Sequence, residues 1–125
     1  MATWSEIDNF LEGNGFKKDG DLWTGVFKIN DSRSQMTIIG RYDFEGDESD
    51  MIRVMSPFAK TSDISAEQAL SQAKLFGIAS TGNYYCFTDA IPIKDADGSD
   101  IVTTVAMLAI FADHAEQAFG THDSL

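Results

Sequence analysis

The sequence predicts an α+β domain in the order α-β-β-β-α-β-β-α, an antiparallel sheet packed by helices. Three observations carry that expectation. The apolar period changes from helical to alternating after the first dozen residues, the segments joining the alternating runs are short and rich in turn residues, and a long apolar seam fills the last quarter. A chain of 125 residues can bury a sizeable core without disulfides, so one domain spanning 1–125 is expected.

The first helix runs from Thr3 to Leu11. Thr3 and Glu6 stand at capping-box spacing, Trp4, Ile7, Phe10 and Leu11 share a face, and Gly13 with Gly15 ends the element. Three strands follow. In Leu22 to Ile29, Trp23, Gly25, Phe27 and Ile29 alternate with Leu22, Thr24, Val26 and Lys28. In Met36 to Phe44, the set Met36, Ile38, Gly40, Tyr42 and Phe44 alternates with Thr37, Ile39, Arg41 and Asp43. In Met51 to Phe58, Ile52, Val54 and Phe58 oppose Met51, Arg53 and Met55. One strongly apolar and one mixed face per strand suit a sheet half covered by helices.

Asp63 and Ser65 can start a short second helix, with Gln68 at box spacing and a stripe of Ala66, Ala69, Leu70 and Ala73. Lys74 to Ser80 and Tyr84 to Ile93 form a hairpin around Thr81-Gly82-Asn83, with Pro92 at the strand's end or a sheet edge. Asp97 to Asp100 is a turn whose last residue can cap the final helix. In that helix Ile101, Val105, Leu108, Ala112, Ala115 and Phe119 make the seam, and Gly120 stops it.

Nine Lys and Arg against twenty Asp and Glu give a formal net charge of -11. Such a field repels phosphate backbones and anionic headgroups, so neither nucleic acid nor membrane is an expected partner. A single cysteine excludes an internal disulfide and fits a reducing cytoplasm. Met1 to Phe10 lacks the basic-then-apolar order of a secretory signal, and Val105 to Ala112 is too short an apolar run for a bilayer span of roughly twenty residues.

The element order and length, the acidic balance and above all the last third resemble the type III secretion chaperone-like fold, and within it the YbjN-like family. There Tyr84-Tyr85-Cys86-Phe87 leads to Ala90-Ile91-Pro92-Ile93 and a short acidic turn. The long helix that follows ends Ala112-Asp113-His114-Ala115-Glu116-Gln117-Ala118-Phe119-Gly120. This resembles the family's strand closing on a hydrophobic-Pro-hydrophobic step before a helix carrying Ala-Asp-x-x-Glu. The resemblance implies a homodimer that binds protein, with no catalytic site to carry over. In the secretion chaperones an unfolded effector segment wraps the dimer and is held by apolar patches and strand addition.

Other constellations are weaker. Asp95, Asp97, Gly98 and Asp100 have the flavour of a calcium loop, but the twelfth position from Asp95 is Ala106, so a capping turn is expected instead. His114 has no second ligand three or four residues away, which leaves Asp113, His114 and Glu116 as no metal or base site. Cys86 lies in an aromatic strand with no basic neighbour in sequence, the setting of a small buried hydrophobe. The acidic loop Asp43, Glu45, Asp47, Glu48 and Asp50 reads as solvated, the alternative being a site for a cation or a basic amphipathic client.

The sharpest signal is Val102, Met107, Ile110 and Phe111, which lie off the helix seam and are expected at a dimer or partner interface, the alternative being packing into the domain's own core. Leu22, Val26, Ile39, Met51 and Met55 are expected to hold apolar segments of a protein client, exposed strand edges adding hydrogen bonds. The reading is thus a non-enzymatic, chaperone-like module without cofactor or metal. The alternative is a YbjN-like regulator that senses a small ligand in the cleft between helix and sheet.

Overall fold

The computed structural model describes residues 3–42 and 50–120. Its elements are α1 (Trp4–Gly13), β1 (Lys17–Asp19), β2 (Leu22–Lys28), β3 (Ser34–Tyr42), β4 (Met51–Lys60), α2 (Ala66–Leu70), β5 (Gly77–Ser80), β6 (Tyr84–Pro92), a 3-10 turn (Ile93–Asp95) and α3 (Gly98–Phe119). All six strands join one antiparallel sheet in the order β1-β2-β3-β4-β6-β5. The α+β class and the helix-packed antiparallel sheet therefore stand as expected.

Three local expectations need correction. Lys17–Asp19 forms an added first strand, pairing Lys18 with Trp23; all three residues are exposed, so they carry no apolar alternation to betray them. The fifth strand begins at Gly77 rather than Lys74. Asp97, not Asp100, caps α3: its carboxylate accepts the Asp100 amide at 2.8 Å, while Asp100 accepts the Asp97 amide at 3.2 Å. That reciprocal box satisfies two orphan donors, which a cap at Asp100 would leave open.

The core lies between the sheet and the helices. Ile7 and Leu11 of α1 and the α3 seam Ile101, Val105, Leu108, Ala112 and Ala115 pack on Trp23, Ile39, Ile52, Val54 and Phe87. Phe58, at a bulge between Pro57 and Ala59 in β4, is fully buried and stacks 4.6 Å from Phe87. Ala69 of α2 belongs to the same cluster, so all three helices contribute to one side of the sheet. Gly25 makes a close approach possible there. A Cβ on it would stand 2.7 Å from the Phe16 ring.

Candidate functional site

Residues paired across antiparallel strands point to the same side of the sheet, so the register sorts every strand residue. Trp23, Ile39 and Val54 align and face the helices. Leu22, Thr24, Val26, Met36, Ile38, Tyr42, Met51, Arg53, Met55, Cys86 and Thr88 align on the other side. No described element covers that second side. Val26 is 75% exposed, Tyr42 46% and Leu22 and Met36 each 41%. Toward the centre Met55 and Cys86 are buried among their strand neighbours.

β3 is the strand that makes this surface apolar, and it does so by turning the less apolar of its two sides inward. Thr37 and Gln35 are buried on the helix side, where Thr37 Oγ1 donates to the Gly25 carbonyl at 3.2 Å and Gln35 Nε2 donates to the Pro57 carbonyl. Hydrogen bonding by these donors offsets part of the cost of burying the two side chains, while Gln35 Oε1 is buried without a hydrogen-bond partner among the described residues. This orientation leaves Met36, Ile38 and Tyr42 to face outward.

Four of the five residues expected to hold a partner, Leu22, Val26, Met51 and Met55, share this open face. Ile39 does not. It is 1% exposed and lies in the core, because its register with Trp23 and Val54 fixes it on the helix side. Met36, Ile38 and Tyr42 belong on the surface in its place. Of the expected dimer residues, Val102 and Ile110 are exposed on α3, at 49% and 38%, and Met107 is half-buried. Phe111 is also half-buried, its ring edge-on to Phe76 at 5.2 Å and Phe87 at 6.4 Å. Part of Phe111 is thus spent on packing within the chain.

The electrostatics of the open face run against those of the chain. Lys17, Lys28, Arg53 and Lys60 align with it, against one strand acid, Asp19. Lys28 is paired with Asp31 in the following turn at 3.6 Å. Arg53 is the inward member of the set. It is half-buried between β3 and β6, and its Nε donates to Thr88 Oγ1 at 3.3 Å. It lines a shallow depression of about 370 Å³ with Tyr42, Met51, Thr88, Asp89 and Ala90. Asp89 at the rim accepts the Ala90 amide at 2.9 Å. Burial pushes the Cys86 thiol up to about 11, against the opposing pull of Arg53 and a hydrogen bond with Thr81. It is a neutral thiol at physiological pH and no activated nucleophile.

A second feature lies on the helix side. Arg33, in the turn before β3, donates from Nε to Asp113 Oδ1 at 2.7 Å and reaches Glu116 Oε2 from Nη2 at 3.6 Å. Gln117 Nε2 donates to Asp113 Oδ2 at 2.8 Å. Asp113 and Glu116 are buried, whereas His114 points outward. The Ala-Asp-x-x-Glu run is therefore an anchor for α3, and Arg33 is the partner that sequence reasoning missed. Its signal was present in the spacing, since positions 113 and 116 share a helix face that excludes 114.

The cleft between α1 and the sheet, about 380 Å³, holds Trp4, Asp8, Lys18, Trp23 and Arg41. Its polar groups are engaged with one another. Trp23 Nε1 donates to Asp8 at 3.0 Å, Trp4 Nε1 to Asp50 at 3.1 Å, and Arg41 lies 4.9 Å over the Trp4 ring. Asp50, the one described member of the acidic loop, also pairs with Arg41 at 3.5 Å; Asp43, Glu45, Asp47 and Glu48 lie outside the described residues. Among the described residues no group of three or more His, Cys, Asp or Glu side chains could hold a metal ion. No helix among them is long and apolar enough to cross a membrane.

No protein-family model matches the chain, and no curated protein does.

Proposed function

We propose that this chain is a non-enzymatic protein-binding module of the secretion-chaperone-like or YbjN-like kind, holding apolar segments of a partner protein. The observation that carries the reading is the sheet face of Leu22, Val26, Met36, Ile38, Tyr42, Met51 and Met55, which no described element covers. An apolar patch of this extent on an otherwise well-packed domain calls for a partner. Its methionines are flexible and polarisable, which suits a surface that accommodates varied side chains. β1 and β5 are the outer strands of the described sheet, and an added strand there would contribute backbone hydrogen bonds.

The homodimer of this reading uses the outer stripe of α3 around Val102, Met107 and Ile110. Ile110→Asp then gives a monomer by light scattering, and a dimer that survives it removes the stripe from the interface. The binding face is tested with a hydrophobic dye and an aggregating client. Val26→Asp cuts dye fluorescence and client protection while changing stability by less than about 0.5 kcal/mol, because the side chain already faces solvent. Unchanged dye binding and protection would defeat the reading. The ligand-sensing alternative needs convergent free polar groups in the α1 cleft, and the pairing of Trp4, Asp8, Trp23 and Asp50 within the chain weighs against it.

A further inference from the structure

We infer that the occupant of the open sheet face is an acidic apolar protein segment, seated with a carboxylate on Arg53. The inference rests on the protein-binding reading and adds the chemistry of the partner. Its basis is charge sorting by register. The chain carries more than twice as many acids as bases, yet among the described strand residues Lys17, Lys28, Arg53 and Lys60 align on this face against Asp19, with Asp89 at the rim of the Arg53 depression.

Arg53 matters most among the four. Lys17, Lys28 and Lys60 are exposed at the ends of their strands, where water screens them, and Lys28 already has Asp31. Arg53 is half-buried in the middle of the sheet and donates to a neutral hydroxyl. No carboxylate among the described residues forms an ion pair with it. A guanidinium partly withdrawn from water, with donors left over in a planar fork, is matched by a carboxylate, which it can grip through two bonds. Met51 and Met55 flank it along β4 and Ile38 and Tyr42 lie across on β3, so apolar residues beside that carboxylate find apolar contacts.

Two other occupants fit less well. A second copy seated face to face would bring two such cationic faces together. An anionic membrane or nucleic acid would present many negative charges to a chain whose net charge is -11, whereas a segment that seats one carboxylate on Arg53 presents that charge once.

The test uses the full chain and three short fluorescein-labelled peptides with one alternating apolar pattern and serines between, differing only at one central position that is Glu, Gln or Lys. Fluorescence anisotropy at near-physiological ionic strength, where the field of the net charge is screened, is expected to show the Glu peptide binding about tenfold more tightly than the Gln peptide, as for a gained charge-assisted bond. The Lys peptide is expected to bind weakest. Arg53→Gln removes the preference for Glu over Gln, Arg53→Lys keeps part of it, and high salt narrows it.

Equal binding of all three peptides, abolished by Val26→Asp, would overturn the acidic partner and leave the protein-binding reading standing. Failure of all three, together with absent dye binding, would sink both. Two results would replace the inference: Arg53-dependent sedimentation with phosphatidylglycerol vesicles without peptide binding, which points to a membrane surface, or an Arg53-dependent mass by light scattering, which points to a second copy.

Discussion

On the helix side of the sheet, Ile39, Ile52, Val54 and Phe58 are buried to within 1%, Thr37 and Gln35 each donate to a backbone carbonyl, and Asp113 and Glu116 face the Arg33 guanidinium. On the other side, Leu22, Val26, Met36 and Tyr42 are exposed, with no described element above them. The strands are shared, so a preference for extended backbone does not separate the two sides; what each side packs against does. The difference comes from what the register lines up with α1 and α3. The contrast teaches that hydrophobicity alone did not decide which side became core, since β3 buries Gln35 and Thr37 while exposing Met36.

The largest expected break in that contrast is Phe58→Ala. Removing a fully buried ring stacked on Phe87 costs about 3–5 kcal/mol, while Val26→Ala on the open face changes stability by about 0.5 kcal/mol or less. Urea unfolding of the pair measures the difference directly. Similar losses for both would mean that the open face is covered in solution.

Next in size is Arg33→Gln. It leaves Asp113 and Glu116 buried without their cation, and breaking such a cluster costs about 3 kcal/mol or somewhat more. The urea midpoint should fall with little change in slope. Loss of under 1 kcal/mol would show that α3 is held by its apolar seam alone.

A smaller effect separates Cys86 from the rest of the open face. Its folded pKa of about 11 stands above the ordinary 9.0. The unfolded chain therefore loses the thiol proton first, and the stability present below pH 9 declines as pH rises toward 11. The decline is about 2–3 kcal/mol at its limit, from a shift of about two units. Cys86→Ala should flatten that part of the stability curve relative to the parent chain. An unchanged alkaline slope would assign it to other groups.

Much of this architecture was legible in the sequence. The α3 seam appeared as a period, the Thr3 cap and Ser65 box as spacings, and the Thr81-Gly82-Asn83 turn as composition; Gly82 indeed takes a φ of 93°. What escaped notice depended on distant partners. Lys17–Asp19 is a strand only because β2 pairs with it. Ile39 was assigned to the wrong side because alternation gives two sides without saying which one meets the helices. Asp113 and Glu116 resembled a family run with no evident purpose until Arg33 came to lie beside them.

That Arg33–Asp113 bond joins residues 80 positions apart, a separation with consequences for the order of events in folding. Closing so large a loop is entropically costly, and its cost falls only after the intervening strands have assembled. The bond should thus form late, on the native side of the rate-limiting barrier. Losing it would then speed unfolding while leaving the refolding rate nearly unchanged. The ion cluster would act as a latch on an assembled domain, setting how long the protein stays folded more than how quickly it gets there.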